Sequence, residues 1–125
     1  MYDRELVLDS LQNIETSLNE VVEWTAHVRS VDDFATSPEK VILLNAVCMK
    51  LFAVCEEIKV IDKRTQGELL PLYPLVDWRK AMRMRDVVAH HYFAIDASVI
   101  LQTLHDDVRP LLTAIVQIKA DLLKA

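Results

Sequence analysis

One glycine, Gly67, in a chain of 125 residues leaves few folds open. Sheet proteins of this size need turns at positive φ, and glycine supplies most of them. A chain rich in Leu, Ala, Lys and Glu with almost no glycine therefore reads as helices joined by few loops. Its length fits a single domain, residues 1–125, with one continuous core. With 52% apolar and 26% charged residues, the composition is that of a folded chain and excludes disorder.

The opening Met1-Tyr2-Asp3-Arg4-Glu5 is charged and carries no apolar stretch, so a secretory signal is not expected. No apolar run approaches the roughly 20 residues that cross a bilayer. The two cysteines, Cys48 and Cys55, would stand about 10 Å apart on a helix, beyond disulfide reach. Both fall on an apolar seam and read as small buried hydrophobes. A cytoplasmic protein without contact to membrane is the expectation. The net charge of −5 gives no general attraction to nucleic acid, so any RNA-binding role must rest on a local basic patch.

Helix signals recur along the chain. Asp3 is a good N-cap for a helix reaching about Arg29. Behind it Val7, Leu11, Ile14, Leu18, Val21, Thr25 and Val28 alternate spacings of four and three, a seam for helix packing. Ser37-Pro38-Glu39 supplies a cap, a first-turn proline and a first-turn acid for a second helix. Its seam is Val41, Leu44, Cys48, Leu51, Cys55 and Ile58, widened by Val47, Val54 and Ile61. Residues 63–76 hold Gly67, Pro71 and Pro74 and break the helix, but are apolar enough to pack over something. Asp77 can cap a third helix from Trp78 to about His90, and Asp96 a short fourth to about His105. A last helix from Asp107 to Leu123 keeps the seam Val108, Leu111, Ile115, Ile118 and Leu122, with Pro110 in its first turn. An all-α, up-and-down bundle of four to five helices follows.

One stretch is more than scaffold. Arg79, Lys80, Arg83 and Arg85 put four of the 14 basic residues within seven positions, followed by His90, His91, Tyr92 and Phe93. On one unbroken helix Arg79, Arg83, Asp86 and His90 share a face, beside a mostly apolar stripe of Trp78, Met82, Arg85 and Ala89. Arg85 is then expected at the edge of buried surface with its guanidinium reaching out. Arg85 and His90 are about 140° apart on an ideal helix and cannot converge on one atom from a straight one. Either the helix ends before His90, or both residues line a groove shared with a second copy. The groove is the preferred solution, because it doubles the basic charge.

Spacing alone favours a plainer reading of this stretch, a solvated basic face ending in aromatics packed on a core. Catalysis is the sharper alternative. Asp86 and His90, with His91 or Asp96, have the spacing for one metal ion, but no HExxH is present and three nearby cations oppose a divalent ion. No metal or other cofactor is expected. Cysteine nucleophiles lack support on core seams, and a single glycine makes no phosphate-cradling loop. His27 and His105 read as solvated. Glu56-Glu57 can reach a cleft or form an ordinary polar face, and spacing does not separate the two.

The run Trp78-Arg79-Lys80-Ala81-Met82-Arg83-Met84-Arg85-Asp86-Val87-Val88-Ala89-His90-His91-Tyr92-Phe93-Ala94-Ile95-Asp96 resembles the signature of HepT-like proteins of the HEPN superfamily. That signature is an arginine, a polar residue, three more residues, a histidine, any residue and a tyrosine. An upstream tryptophan and a Tyr-Phe-x-x-Asp tail also match; Asp86 stands where family members often carry asparagine. The resemblance implies a helical homodimer with the two motifs facing across the interface. It implies a metal-independent endoribonuclease toxin of a type II or VII-like toxin–antitoxin system, paired with a nucleotidyltransferase-like antitoxin of the MNT kind. Carried over, Arg85 and His90 would be catalytic, Asp86 the polar positioning residue, and Tyr92 the motif tyrosine and acceptor of AMP from the antitoxin. Arg79, Lys80, Arg83 and His91 would form the RNA-binding patch. The acidic total and Asp86 leave a second expectation, a non-catalytic helical partner or substrate-binding subunit of a nucleotidyltransferase.

Overall fold

The computed structural model describes residues 2–88 and 95–125, with backbone alone for Val87 and Val88. These residues form six α-helices and two short 3-10 turns, with no strand among them. The helices are α1 (Arg4–Trp24), α2 (Pro38–Arg64), α3 (Trp78–Met82), α4 (Met84–Val88), α5 (Ala97–Asp106) and α6 (Val108–Lys124). α1 packs against both α2 and α6; α3 and α4 lie on α2, and α5 on α6. One cluster of buried side chains runs through all of them. Among the described residues no helix is long and apolar enough to cross a membrane.

The caps are side-chain carboxylates and hydroxyls where backbone N–H groups would otherwise go unpaired. Asp3 accepts from the N–H groups of Glu5 and Leu6, Ser37 from Lys40, Asp77 from Lys80, and Asp96 from Ser98 and Val99. The Ser98 hydroxyl and these N–H groups hold the Asp96 carboxyl below its ordinary range. α1 stops at Trp24, five residues before the expected Arg29. The Thr25 hydroxyl turns back to the Val21 carbonyl, and the Arg29 guanidinium donates to the carbonyls of Ala26 and Val28. Asp33 then accepts from the N–H groups of Arg29 and Ser30, which lower its pKa and seat a 3-10 turn, Val31–Phe34. This turn buries Phe34 completely. Val28 is buried as expected, but from a turn rather than a helix.

α2 ends at Arg64, where Gln66 and Gly67 take left-handed backbone (φ 52° and 71°) and the Gly67 N–H reaches the Asp62 carbonyl. The only glycine thus stops the longest helix, where a left-handed residue closes off the last carbonyls. In the loop beyond, Leu69 and Leu70 enter the core while Leu75 is 99% exposed. The Tyr73 hydroxyl donates to Asp121 on α6 at 2.7 Å, and the Trp78 indole N–H to the Tyr73 carbonyl at 2.9 Å.

The expected third helix is two helices, which brings the count to six rather than four or five. Arg83 breaks it, its N–H shared between the carbonyls of Arg79 and Lys80. No glycine or proline causes this. A straight helix would turn Met84 about 120° away from Trp78. The break lets both be buried, a gain of roughly 1.5–3 kcal/mol for a methionine side chain. The Cys55 thiol donates to the Met82 carbonyl at 2.9 Å, tying the break to α2. At the other junction α5 and α6 abut at Asp107, whose side chain caps neither helix.

α2 is apolar on two opposite sides. Leu44, Val47, Cys48, Leu51, Val54, Cys55, Ile58 and Ile61 face the core. At about 180° from them, by the helical spacing, stand Ile42, Met49, Ala53, Glu56 and Val60, all exposed, with Ile42 and Met49 at 68%. Val41, expected in the core seam, is 42% exposed.

Candidate functional site

Arg85 leaves α4 where that helix crosses α2. Its guanidinium lies 6.0 Å from the centre of the Phe52 ring, and its Nη1 is 3.8 Å from Glu56 Oε1. The side chain is 50% exposed, at the edge of buried surface as the sequence leads one to expect. Glu56 also meets Lys59 at 3.2 Å, so its carboxylate serves two cations. Neither tie is strong: an exposed ion pair contributes about 0–1 kcal/mol and an exposed cation–π contact about 0.5–1. The guanidinium is held in place, yet a phosphate offering two charge-assisted hydrogen bonds competes well for it.

The floor under Arg85 is fixed from α2. Cys55 is fully buried, and its thiol holds the Met82 carbonyl three residues before Arg85. Cys48, also buried, has its thiol pushed up to about 11 by burial, so it stays protonated and inert.

The other predicted residues divide into three groups. Asp86, Arg79 and Arg83 are exposed, but the break at Arg83 overturns the single helical face that placed them in line with His90. Lys80 is engaged elsewhere, at 3.1 Å from Asp107 in the α5–α6 junction. His90, His91 and Tyr92 lie outside the described residues. Among the described residues no group of three His, Cys, Asp or Glu side chains is placed to hold a metal ion.

Phe52 was not singled out by its sequence position, and Glu56 only as one half of an ambiguous acidic pair. Both meet Arg85 across 29 or more positions of chain, so local spacing does not expose the contact. The available signal is that they stand four apart on the flank of α2 next to its core seam. His27 and His105 are exposed, as expected, although His105 is bonded through Nδ1 to Asp106 at 2.8 Å.

Comparison with known proteins adds three findings. The family described as ribonuclease HepT-like matches residues 7–118. A protein of Thermococcus cleftensis named probable ribonuclease HepT is 28% identical over 105 residues, which cover 80% of this chain and 84% of the relative. No solved structure matches the chain.

Proposed function

The chain belongs to the ribonuclease HepT-like family, and from that premise we propose that it is a metal-independent endoribonuclease acting as the toxin of a toxin–antitoxin pair in the cytoplasm. The observation that carries this reading is the family match over 7–118 together with Arg85, the motif arginine, held half-exposed against Phe52 and Glu56.

Cleavage of RNA without a metal uses the neighbouring 2′-hydroxyl as nucleophile. His90 is the residue suited to take that proton and return one to the leaving oxygen, histidine being the side chain that exchanges protons most readily near neutral pH. Arg85 stays charged throughout and stabilises negative charge building on the phosphoryl oxygens. Asp86 orients one of the two. Arg79, Arg83, Lys80 and His91 draw the phosphate backbone in, which an overall charge of −5 does not do by itself. Lys80 contributes least, because it is paired to Asp107.

The active form in this reading is a homodimer. The exposed stripe of Ile42, Met49, Ala53 and Val60 on α2 supports it, since a second copy laid there covers apolar surface beside Arg85. The antitoxin is a nucleotidyltransferase of the MNT kind. AMP attached to Tyr92, two residues from His90, adds bulk and negative charge that repel RNA. Co-expression of the two should therefore add the mass of AMP to Tyr92.

Expression of the chain alone should arrest growth of its host. His90→Ala should relieve the arrest while the dimer persists in size-exclusion chromatography. Full growth arrest by His90→Ala would sink the reading. A second reading, a non-catalytic subunit of the nucleotidyltransferase, is favoured by the Arg85–Glu56 pairing, in which an acid occupies the place where a phosphate would bind.

A further inference from the structure

The end of α1 and the α5–α6 corner line an open cavity of about 520 Å³, with Arg85 and the rest of α4 absent from its lining. That volume lies within the roughly 300–1,000 Å³ of small-molecule sites. Its floor is apolar, with Val22, Val28, Leu101 and Leu104 among the lining side chains. Its rim carries Arg29, Arg109 and His105, with Asp106 as its one acid. For a chain of net charge −5, this concentration of cations brought together from residues 80 positions apart is unusual in sign.

Each polar group has a defined state. Arg29 is anchored, its Nη1 donating to Ala26 and Val28 carbonyls at 2.8 and 3.1 Å, which leaves the rest of the guanidinium fork to a ligand. Arg109 has no ion pair and no side-chain hydrogen bond among the described residues. Asp106 is occupied by His105 at 2.8 Å, and this bond holds its carboxyl below the ordinary range. The same bond fixes the imidazole by Nδ1, and Nε2 has no partner among the described residues.

We propose that this groove is a binding site for a nucleoside phosphate, its base on the Val22–Leu101–Leu104 floor and its phosphate between Arg29 and Arg109. An apolar floor beside two guanidinium groups suits that chemistry: guanidinium forks pair bidentately with phosphate oxygens, and the base covers apolar surface. Inorganic phosphate leaves the floor bare, and a nucleoside leaves the cations unmatched. The nucleoside phosphate is either a free mononucleotide or one unit of a single-stranded RNA. The inference does not depend on RNA cleavage at Arg85.

Calorimetric titration of the full chain at low salt with AMP, adenosine and inorganic phosphate tests it. AMP should bind at least about tenfold more tightly than either fragment, and Arg109→Ala should weaken AMP by about tenfold. Arg29→Ala should do the same, while Arg85→Ala should bind AMP as the wild type does. A tetranucleotide RNA tells the sources apart. Binding more than about tenfold tighter than AMP, and lost in Arg109→Ala, assigns the groove to an RNA strand. Equal binding assigns it to a free nucleotide. No saturable binding of AMP or RNA overturns the proposal. So does AMP binding unchanged in a folded Arg29→Ala/Arg109→Ala double variant, or lost in Arg85→Ala alone.

Discussion

α1 and α2 pack along one another and bury seams of the same kind, but their outer faces differ. Opposite its seam α1 carries Asp9, Gln12, Asn13, Thr16, Asn19 and Glu23, all exposed and all polar. Opposite its own, α2 carries Ile42, Met49, Ala53 and Val60, broken by Asn45 and Glu56. A polar outer face is what a helix needs when one chain completes its burial. An apolar one is what a helix carries when a further surface is to cover it. The Arg85 guanidinium lies on the flank of α2 whose outer face is unfinished, over Phe52 and beside Glu56. The same helix therefore serves the core with one side and the candidate site with the other, while the face of α1 opposite its seam is polar throughout.

The largest effect expected from breaking this comparison is on stability. Leu51→Ala on the inner face of α2 should cost about 2–5 kcal/mol in urea denaturation, as should Leu18→Ala on α1. Met49→Ala, on the outer face of α2, should change the stability of the monomer by no more than about 0.5 kcal/mol. A large loss at Met49 in the monomer would mean that this face is already covered within one chain.

Next in size is association. Met49→Glu should raise the dissociation constant of the proposed dimer by at least about tenfold in sedimentation, the equivalent of leaving one apolar side chain uncovered. Asn19→Glu, on the polar face of α1, should leave the dissociation constant unchanged. Equal behaviour of the two variants would remove the distinction between the helices.

The smallest effect is a pH dependence confined to the loop that ties α2 to α6. Burial and the bond to Asp121 push Tyr73 from its ordinary 10 up to about 12. A raised pKa contributes stability that is whole below pH 10 and lost as pH rises through about 12. The same bond lowers the Asp121 pKa, so its contribution is present above the ordinary 3.8 and lost as the solution becomes more acidic. Tyr73→Phe should flatten both ends of the stability–pH curve, and Met49→Ala should flatten neither.

Much of this frame was legible because its signals are local. Asp3, Ser37, Asp77 and Asp96 cap the helices they were expected to cap, and the α6 seam from Val108 to Leu122 is buried throughout. The failures share a cause, which is that tertiary partners set the outcome. The break at Arg83 has no local breaker; it follows from burying Met84 beside Trp78 and from the Cys55 thiol on α2. α1 ends early because the Arg29 guanidinium and the Asp33 carboxylate satisfy the turn that buries Phe34. Val41 fits the spacing of the seam, yet it stays 42% exposed. At the candidate site Arg85 is half-exposed as expected, but the stripe behind that expectation assumed an unbroken helix and is interrupted at Arg83. The partners of Arg85, Phe52 and Glu56, were not legible, being brought in by a helix crossing.

The most direct measurement is cleavage of total RNA and tRNA by the purified chain in EDTA, beside Arg85→Ala. The expected result is cleavage by the wild type and a rate lower by about 10²–10³ in the variant, the usual cost of removing a charge-stabilising donor. Equal cleavage by both proteins, or none by a folded, unmodified wild type, would contradict it.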